Sequence, residues 1–302
     1  MSKQVAAQPR RRGCRYWFKL LSVGVIGGLM CAYLGLLGIA VEATLAPAPS
    51  KIDRTPRADG FAYEDPTLQT TDGFELKGWY LPTHNGAAII LLHGYGGSRL
   101  EMLSRAELLA RHGYGVLWYD ERGSGESGGT RTFGWLDAQD VPLALNYLQN
   151  KAEIDPQRIG LLGFSIGGQI ALRAASQTDR IRAVVAEEPG FARTSDAPDV
   201  PTLEERYYLV SYWLGERWLS LRIGVPIPEG VVDGLPRIAP RPILFVATGR
   251  DYGRTLVRYF YDRASEPKQW WEVPEATHGA SPIVRPDEYE NIVVGFFDRA
   301  LK

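Results

Sequence analysis

Between residues 61 and 302, short uninterrupted apolar runs alternate with stretches whose apolar residues fall three and four apart. Runs of that kind suit strands buried on both faces of a parallel sheet, where either side-chain direction meets a core. Residues 87–92, 115–119, 159–162, 183–186, 243–247 and 270–273 read this way. Residues 74–81 alternate apolar with polar, which suits an antiparallel strand at a sheet edge. The stretches 99–111, 137–149, 166–175, 255–264 and 287–301 have helical spacing, and Pro142 falls near a helix start, where its missing N–H costs nothing. Strands alternating with helices predict an α/β fold: a mostly parallel central sheet flanked by helices.

Two regions break the alternation. Residues 191–240 are too long for a simple strand-to-strand connection, and unstructured loops of that length are uncommon. Within them, 203–221 has helical character and gathers Tyr207, Tyr208, Tyr212, Trp213 and Trp218. This predicts a small cap insertion over the site; the alternative is an excursion packed on the side of the domain. At the other end, residues 1–19 are basic and contain no acid, and 20–41 contain no charge. That apolar run is about 22 residues, enough at about 1.5 Å per residue to span a bilayer core of roughly 30 Å. Tyr16 and Trp17 stand at its entrance, where amphipathic rings favour the interface. A secretory signal would have a shorter apolar region and a small-residue cleavage site. Residues 43–46 resemble such a site, but Pro47 follows directly. The expectation is an uncleaved single-pass signal anchor, basic N-terminus in the cytoplasm and the rest outside. Residues 42–60, rich in proline, read as a semi-rigid linker, leaving 61–302 as the catalytic domain.

Composition adds little. The chain has 302 residues, 45% hydrophobic and 23% charged, with a formal net charge of −1. No global field therefore draws it to nucleic acid. Both cysteines, Cys14 and Cys31, lie in the N-terminal region, so neither a disulfide nor a cysteine-based metal site is open to the domain.

The chemistry concentrates in Gly163-Phe164-Ser165-Ile166-Gly167. A nucleophilic hydroxyl must stand clear of the sheet, so the chain turns sharply from strand to helix at the serine. Glycines two residues to either side remove Cβ atoms that would collide. The predicted strand before and helix after supply that setting. His93-Gly94-Tyr95-Gly96-Gly97 follows another predicted strand, and a carbonyl turning tetrahedral needs two preorganised N–H donors. The N–H groups of Tyr95 and Ile166 are the candidates, with His93 given a structural role.

With these motifs and Asp120-Glu121-Arg122-Gly123-Ser124-Gly125-Glu126-Ser127, residues 61–302 resemble the α/β-hydrolase fold serine hydrolases, and the tethered arrangement resembles membrane-bound esterase- or peptidase-like members. The resemblance implies that Arg122 and Ser127 organise a turn beside the site. It also implies the chain order serine, acid, histidine. Asp251 follows the strand at 243–247, and His278 follows the strand at 270–273; both stand at the carboxyl ends of strands, as Ser165 does. Of the 4 histidines, His278 alone occupies the expected place for the base. Glu187 and Glu188 follow the strand at 183–186 and are the alternative acids, or a partner for a cationic substrate group.

The expected activity is hydrolysis of an ester through an acyl-enzyme on Ser165. The rivals are a peptidase or amidase using the same triad, because the fold does not fix the leaving group, and a non-catalytic scaffold of the same fold. No cofactor or metal is implied. The expected substrate is a small-molecule or lipid-like ester, and the expected partner is the membrane through the N-terminal helix.

Overall fold

The computed structural model describes residues 12–198, 202–249 and 252–301. The chain divides into two compact units, Met1–Ala43 and Thr44–Lys302. The first is formed by helix α1 (Arg12–Leu45), which runs past both limits of the predicted 20–41 span; Glu42, Ala43 and Leu45 are good helix formers and give it no reason to stop. Tyr16–Leu45 is a 30-residue apolar stretch of mean hydropathy 2.1. By length and composition it is long and apolar enough to cross a membrane, a property that a signal sequence shares.

The second unit contains an eight-stranded sheet. Its strands are β1 (Thr67–Gln69), β2 (Glu75–Leu81), β3 (Ala88–Leu92), β4 (Gly115–Tyr119), β5 (Ile159–Phe164), β6 (Ala183–Glu187), β7 (Ile243–Thr248) and β8 (Lys268–Val273). The spatial order is 8-7-6-5-3-4-2-1. Strands β3 to β8 pair in parallel, while β2 runs antiparallel to β4 and to β1. The alternating 74–81 stretch is thus an antiparallel strand near one edge, as its pattern predicts. The sheet's helices are α2 (Leu103–Arg111), α3 (Asp137–Gln149), α4 (Ile166–Gln177), α7 (Tyr252–Arg263) and α9 (Pro286–Leu301), joined by the short α8 (Ser281–Val284).

Successive residues of each parallel strand serve different cores. Ile90 and Leu92 pack with Val141, Ile170 and Phe260 on one face, whereas Ile89 and Leu91 pack with Leu109, Val293 and Phe297 on the other. This period of two is why the runs are continuously apolar. The layers approach closely at the centre: a Cβ on Gly160 of β5 would lie 2.7 Å from the Phe297 ring of α9.

Two segments depart from simple expectation. The segment read as a linker is built into the domain from Thr44 onward. Ala48–Pro49 pairs in parallel with Ser124–Gly125, Ala48 N–H donates to Gly123 O at 2.7 Å, and Pro56 is buried. Proline cannot donate to a ladder but is tolerated on such an edge, so the composition that reads as a spacer also suits a pinned strap. The 191–240 insertion is helical, as predicted, with α5 (Leu203–Ile223) and the short α6 (Val231–Gly234) between β6 and β7.

Replacing Gly160 with valine should force α9 off the sheet and cost about 1–3 kcal/mol as an overpacked core. Urea unfolding of the full chain in detergent measures this; an unchanged midpoint would mean that the layers yield freely there.

Candidate active site

Strand β5 ends at Phe164 and α4 begins at Ile166, leaving Ser165 alone at the corner. Its backbone sits at φ 54, ψ −118, a conformation that a residue with a Cβ holds only when its surroundings force it. The forcing contacts are backbone atoms. A Cβ on Gly163 would fall 2.1 Å from Gly167 O, and one on Gly167 would fall 2.2 Å from Leu92 O. Ser165 N–H donates to Glu187 O at 2.8 Å, and Ser165 O accepts from Gly190 N–H at 3.0 Å. The serine is therefore clamped by the chain leaving β6 as well as by its own turn.

The loop after β3 is fastened to this corner. Gly167 N–H donates to His93 O at 3.0 Å, and Gly94 N–H donates to a Glu101 carboxylate oxygen at 2.7 Å. His93 is buried; Glu121 N–H donates to its Nε2 at 2.9 Å. That bond needs a lone pair on Nε2, so the proton lies on Nδ1, which donates to Gly94 O at 2.7 Å. His93 is thus a structural brace, as the sequence suggests. Tyr95 and Ile166 line one shallow surface depression together with Glu121, Arg131 and Phe133. The Glu121 carboxyl on its wall is pushed well above the usual range, first by burial and then by neighbouring carboxylates, chiefly Asp137.

Asp120, Arg122 and Ser127 hold the turn that follows β4. Asp120 accepts from Arg99 Nη1 at 2.6 Å and from Glu126 N–H at 2.8 Å, while Ser127 Oγ donates to Asp120 O at 2.6 Å. A Cβ on Gly125 would overlap the Asp120 carboxylate. Arg122 reaches both Asp140 and Asp72. The two acids respond oppositely: burial, outweighing its bonds to Arg122, raises Asp140 to about 6, whereas hydrogen bonds from Arg122 lower Asp72 to about 2.

The adjacent acids after β6 diverge. Glu187 is turned into the structure, where Arg105 Nη2 and Nε donate to it at 2.7 and 2.9 Å and the Tyr289 hydroxyl also donates. Glu187 is a buried ion-pair partner of Arg105, the salt-bridge reading of this acid rather than the triad reading, because a strand-end position does not decide which way a side chain points. Glu188 has φ 46, and this left-handed twist turns its carboxylate toward the loop after β8. There Glu188 Oε2 lies 2.8 Å from His278 Nδ1, and Oε1 accepts from Gly279 N–H at 2.8 Å. Thr248 Oγ1 also donates to it. The His278 ring packs on Phe164, centroids 4.8 Å apart. Asp251, the acid preferred from sequence, lies outside the described residues. Glu101 and Thr248 carry no motif of their own, and only their tertiary partners reveal them.

A family pattern described as the alpha/beta hydrolase fold matches residues 87–222. YfhR of Salmonella typhi, an uncharacterized protein, is 32% identical over 296 residues, spanning 90% of this chain and 92% of its own. This chain belongs to the α/β-hydrolase fold family. Among solved structures, the Pyrococcus furiosus esterase Pf2001 aligns with this α/β hydrolase at a TM-score of 0.70 and 27% identity, over 85% of this chain and 98% of the esterase. The thiohydrolase aneE of Aspergillus aculeatus is 31% identical over 159 residues, 49% of this chain and 50% of its own.

Removing the guanidinium in Arg105→Met should leave Glu187 buried and unpaired, costing this hydrolase about 3–5 kcal/mol. Arg105→Met/Glu187→Leu should recover most of that loss in urea unfolding; no recovery would mean that Arg105 acts by packing instead. A second expectation concerns pH. The folded state holds the Asp140 proton more tightly than the unfolded chain, whose value is the ordinary 3.8. This group therefore favours folding below that value, and the contribution is lost as pH rises through about 6. Asp140→Asn should remove that downward slope, measured as unfolding midpoints across the interval; an identical slope in both proteins would refute the assignment.

Proposed function

We propose that this hydrolase cleaves an ester through an acyl-enzyme on Ser165, with His278 as the proton carrier and Glu188 as the acid that orients it. The observation that supports this most is the 2.8 Å contact between Glu188 Oε2 and His278 Nδ1, on the same sheet edge as the strained serine corner. Orienting a catalytic histidine takes a carboxylate beside Nδ1, which fixes the tautomer and stabilises the imidazolium. Glu188 meets that need, so the reading moves from Asp251, the first expectation, to the second alternative.

In the proposed reaction the Ser165 hydroxyl proton passes to His278 Nε2 as Oγ bonds to the ester carbonyl carbon. The carbonyl oxygen takes up negative charge, and the N–H groups of Tyr95 and Ile166 stabilise it. When the bond to the leaving alkoxide breaks, the proton on Nε2 passes to that oxygen and an alcohol departs. Water then attacks the acyl-enzyme and gives its proton to Nε2. Collapse of the second intermediate releases the acid, and the proton returns to Ser165 Oγ. Similarity to the esterase Pf2001 favours an oxygen ester, and similarity to aneE supports a thioester as the second substrate class. We further propose that α1 is an uncleaved anchor, with the basic segment 1–19 in the cytoplasm and the hydrolase unit outside. The support is the 30-residue apolar span behind that basic segment.

A fluorophosphonate probe should label the wild type and leave Ser165→Ala unlabelled; equal labelling of both would end the nucleophile assignment. Glu188→Gln should lower kcat on p-nitrophenyl esters by a factor on the order of 10²–10⁴, and Asp251→Asn by much less. The reverse ranking would return the acid to Asp251. Faster turnover of aminoacyl-nitroanilides than of esters would favour a peptidase.

A further inference from the structure

Helix α5 leaves large apolar side chains exposed where a helix packed on a soluble domain would bury them. Tyr207, Val210, Leu214, Trp218 and Leu221 follow one another at spacings of three and four, so they share one face. Among the described residues of the helix, Glu216 and Leu219 are buried and lie off that face. Inward-facing Glu216 accepts hydrogen bonds from the Thr194 N–H and hydroxyl. The outward stripe is exposed: Leu221 is 86% exposed, and Tyr207 and Val210 are each 55% exposed. Beside the stripe, the Arg217 guanidinium lies 3.5 Å from the Trp213 ring centroid, so even the flanking charge is laid over an aromatic ring. A surface this apolar marks a site of interaction.

We infer that α5 docks on the interfacial region of a lipid bilayer, an inference that rests on the proposal that α1 is a membrane anchor. Two observations choose the bilayer over another occupant. Leu45, where α1 ends, lines the same cleft as Arg222 and Ile223 at the end of α5. Thr44 is also tied to the loop after β3, because the Tyr95 phenolic hydroxyl donates to Thr44 O at 2.6 Å. Within the second unit, Thr44 and Leu45 are thus neighbours of the Tyr95 loop and of the end of α5. Tyrosine and tryptophan are the side chains favoured at a membrane interface, with an apolar body and a polar edge. At the inner end of the cap, Tyr212 meets Phe191 edge-on with centroids 5.2 Å apart, one residue beyond the Gly190 N–H that clamps Ser165. Docking of α5 therefore holds the entrance to Ser165 at the lipid surface.

The test uses the full chain with Cys14 and Cys31 changed to serine, reconstituted in phosphatidylcholine–phosphatidylglycerol vesicles. Single cysteines introduced as Leu221→Cys or Val210→Cys carry a bimane label, and Gln157→Cys, ahead of β5 at the far edge of the sheet, is the control. Doxyl-labelled lipid should quench most of the fluorescence at 221 and 210 and leave 157 unchanged. A chain that floats with the vesicles but shows no quenching at 221 or 210 overturns the docking and leaves the anchor intact. Cross-linking between cysteines at 221 of two copies, without lipid quenching, overturns it in favour of a second protomer. A chain that fails to float overturns the anchor reading and the docking with it.

Discussion

Gly163, Gly167 and the Leu92 carbonyl crowd together so tightly that no Cβ fits between them. That approach bends the chain through the strained angles of Ser165 and sends it directly into α4. The same approach draws the His93 loop against the serine corner, because the Gly167 N–H has only the His93 carbonyl to meet. Strands β3 and β5 are hydrogen-bonded neighbours at the centre of the sheet, so the tension at this corner is resisted by the two large cores on either face. A strained turn of this kind persists only where the surrounding structure over-determines it.

Charge burial organises what stands around the corner. Glu187 and Glu188 are consecutive, yet one is committed to Arg105 and Tyr289 and the other to His278. A buried carboxylate without a partner would cost several kcal/mol, so Arg105 fixes the direction of Glu187. The left-handed residue that follows is what turns Glu188 the other way. The turn after β4 uses the same device, with Asp120 saturated by Arg99 and the Glu126 N–H, and Arg122 shared between two acids. Apart from Glu188, these charges hold the chain around the serine corner in place.

A proline-rich segment that would otherwise be a spacer is laced to Gly123 and Gly125, next to the turn that Arg122 holds. Thr44, at the start of the same unit, accepts a hydrogen bond from the Tyr95 hydroxyl. Helix α5 turns its apolar stripe outward from the same surface.

The parallel strands, the helices between them and the serine elbow were legible in the sequence alone. Their signals are local: buried strands read as unbroken apolar runs, and the elbow needs glycine at fixed distances from Ser165. The strand that precedes His278 was legible too, as an apolar run at 270–273. The partner of His278 was not. Glu187 and Glu188 are adjacent carboxylates at one strand end, and nothing in their spacing says which one turns toward the imidazole. That choice depends on Arg105, which is 82 residues from Glu187 in sequence, and on a single backbone twist at Glu188. The strap and the outward face of α5 were hidden for a related reason: composition reports what a segment is made of, while burial depends on which surface it meets. Tertiary structure alone decided both, because side-chain direction and solvent exposure are set by contacts between residues far apart in the chain.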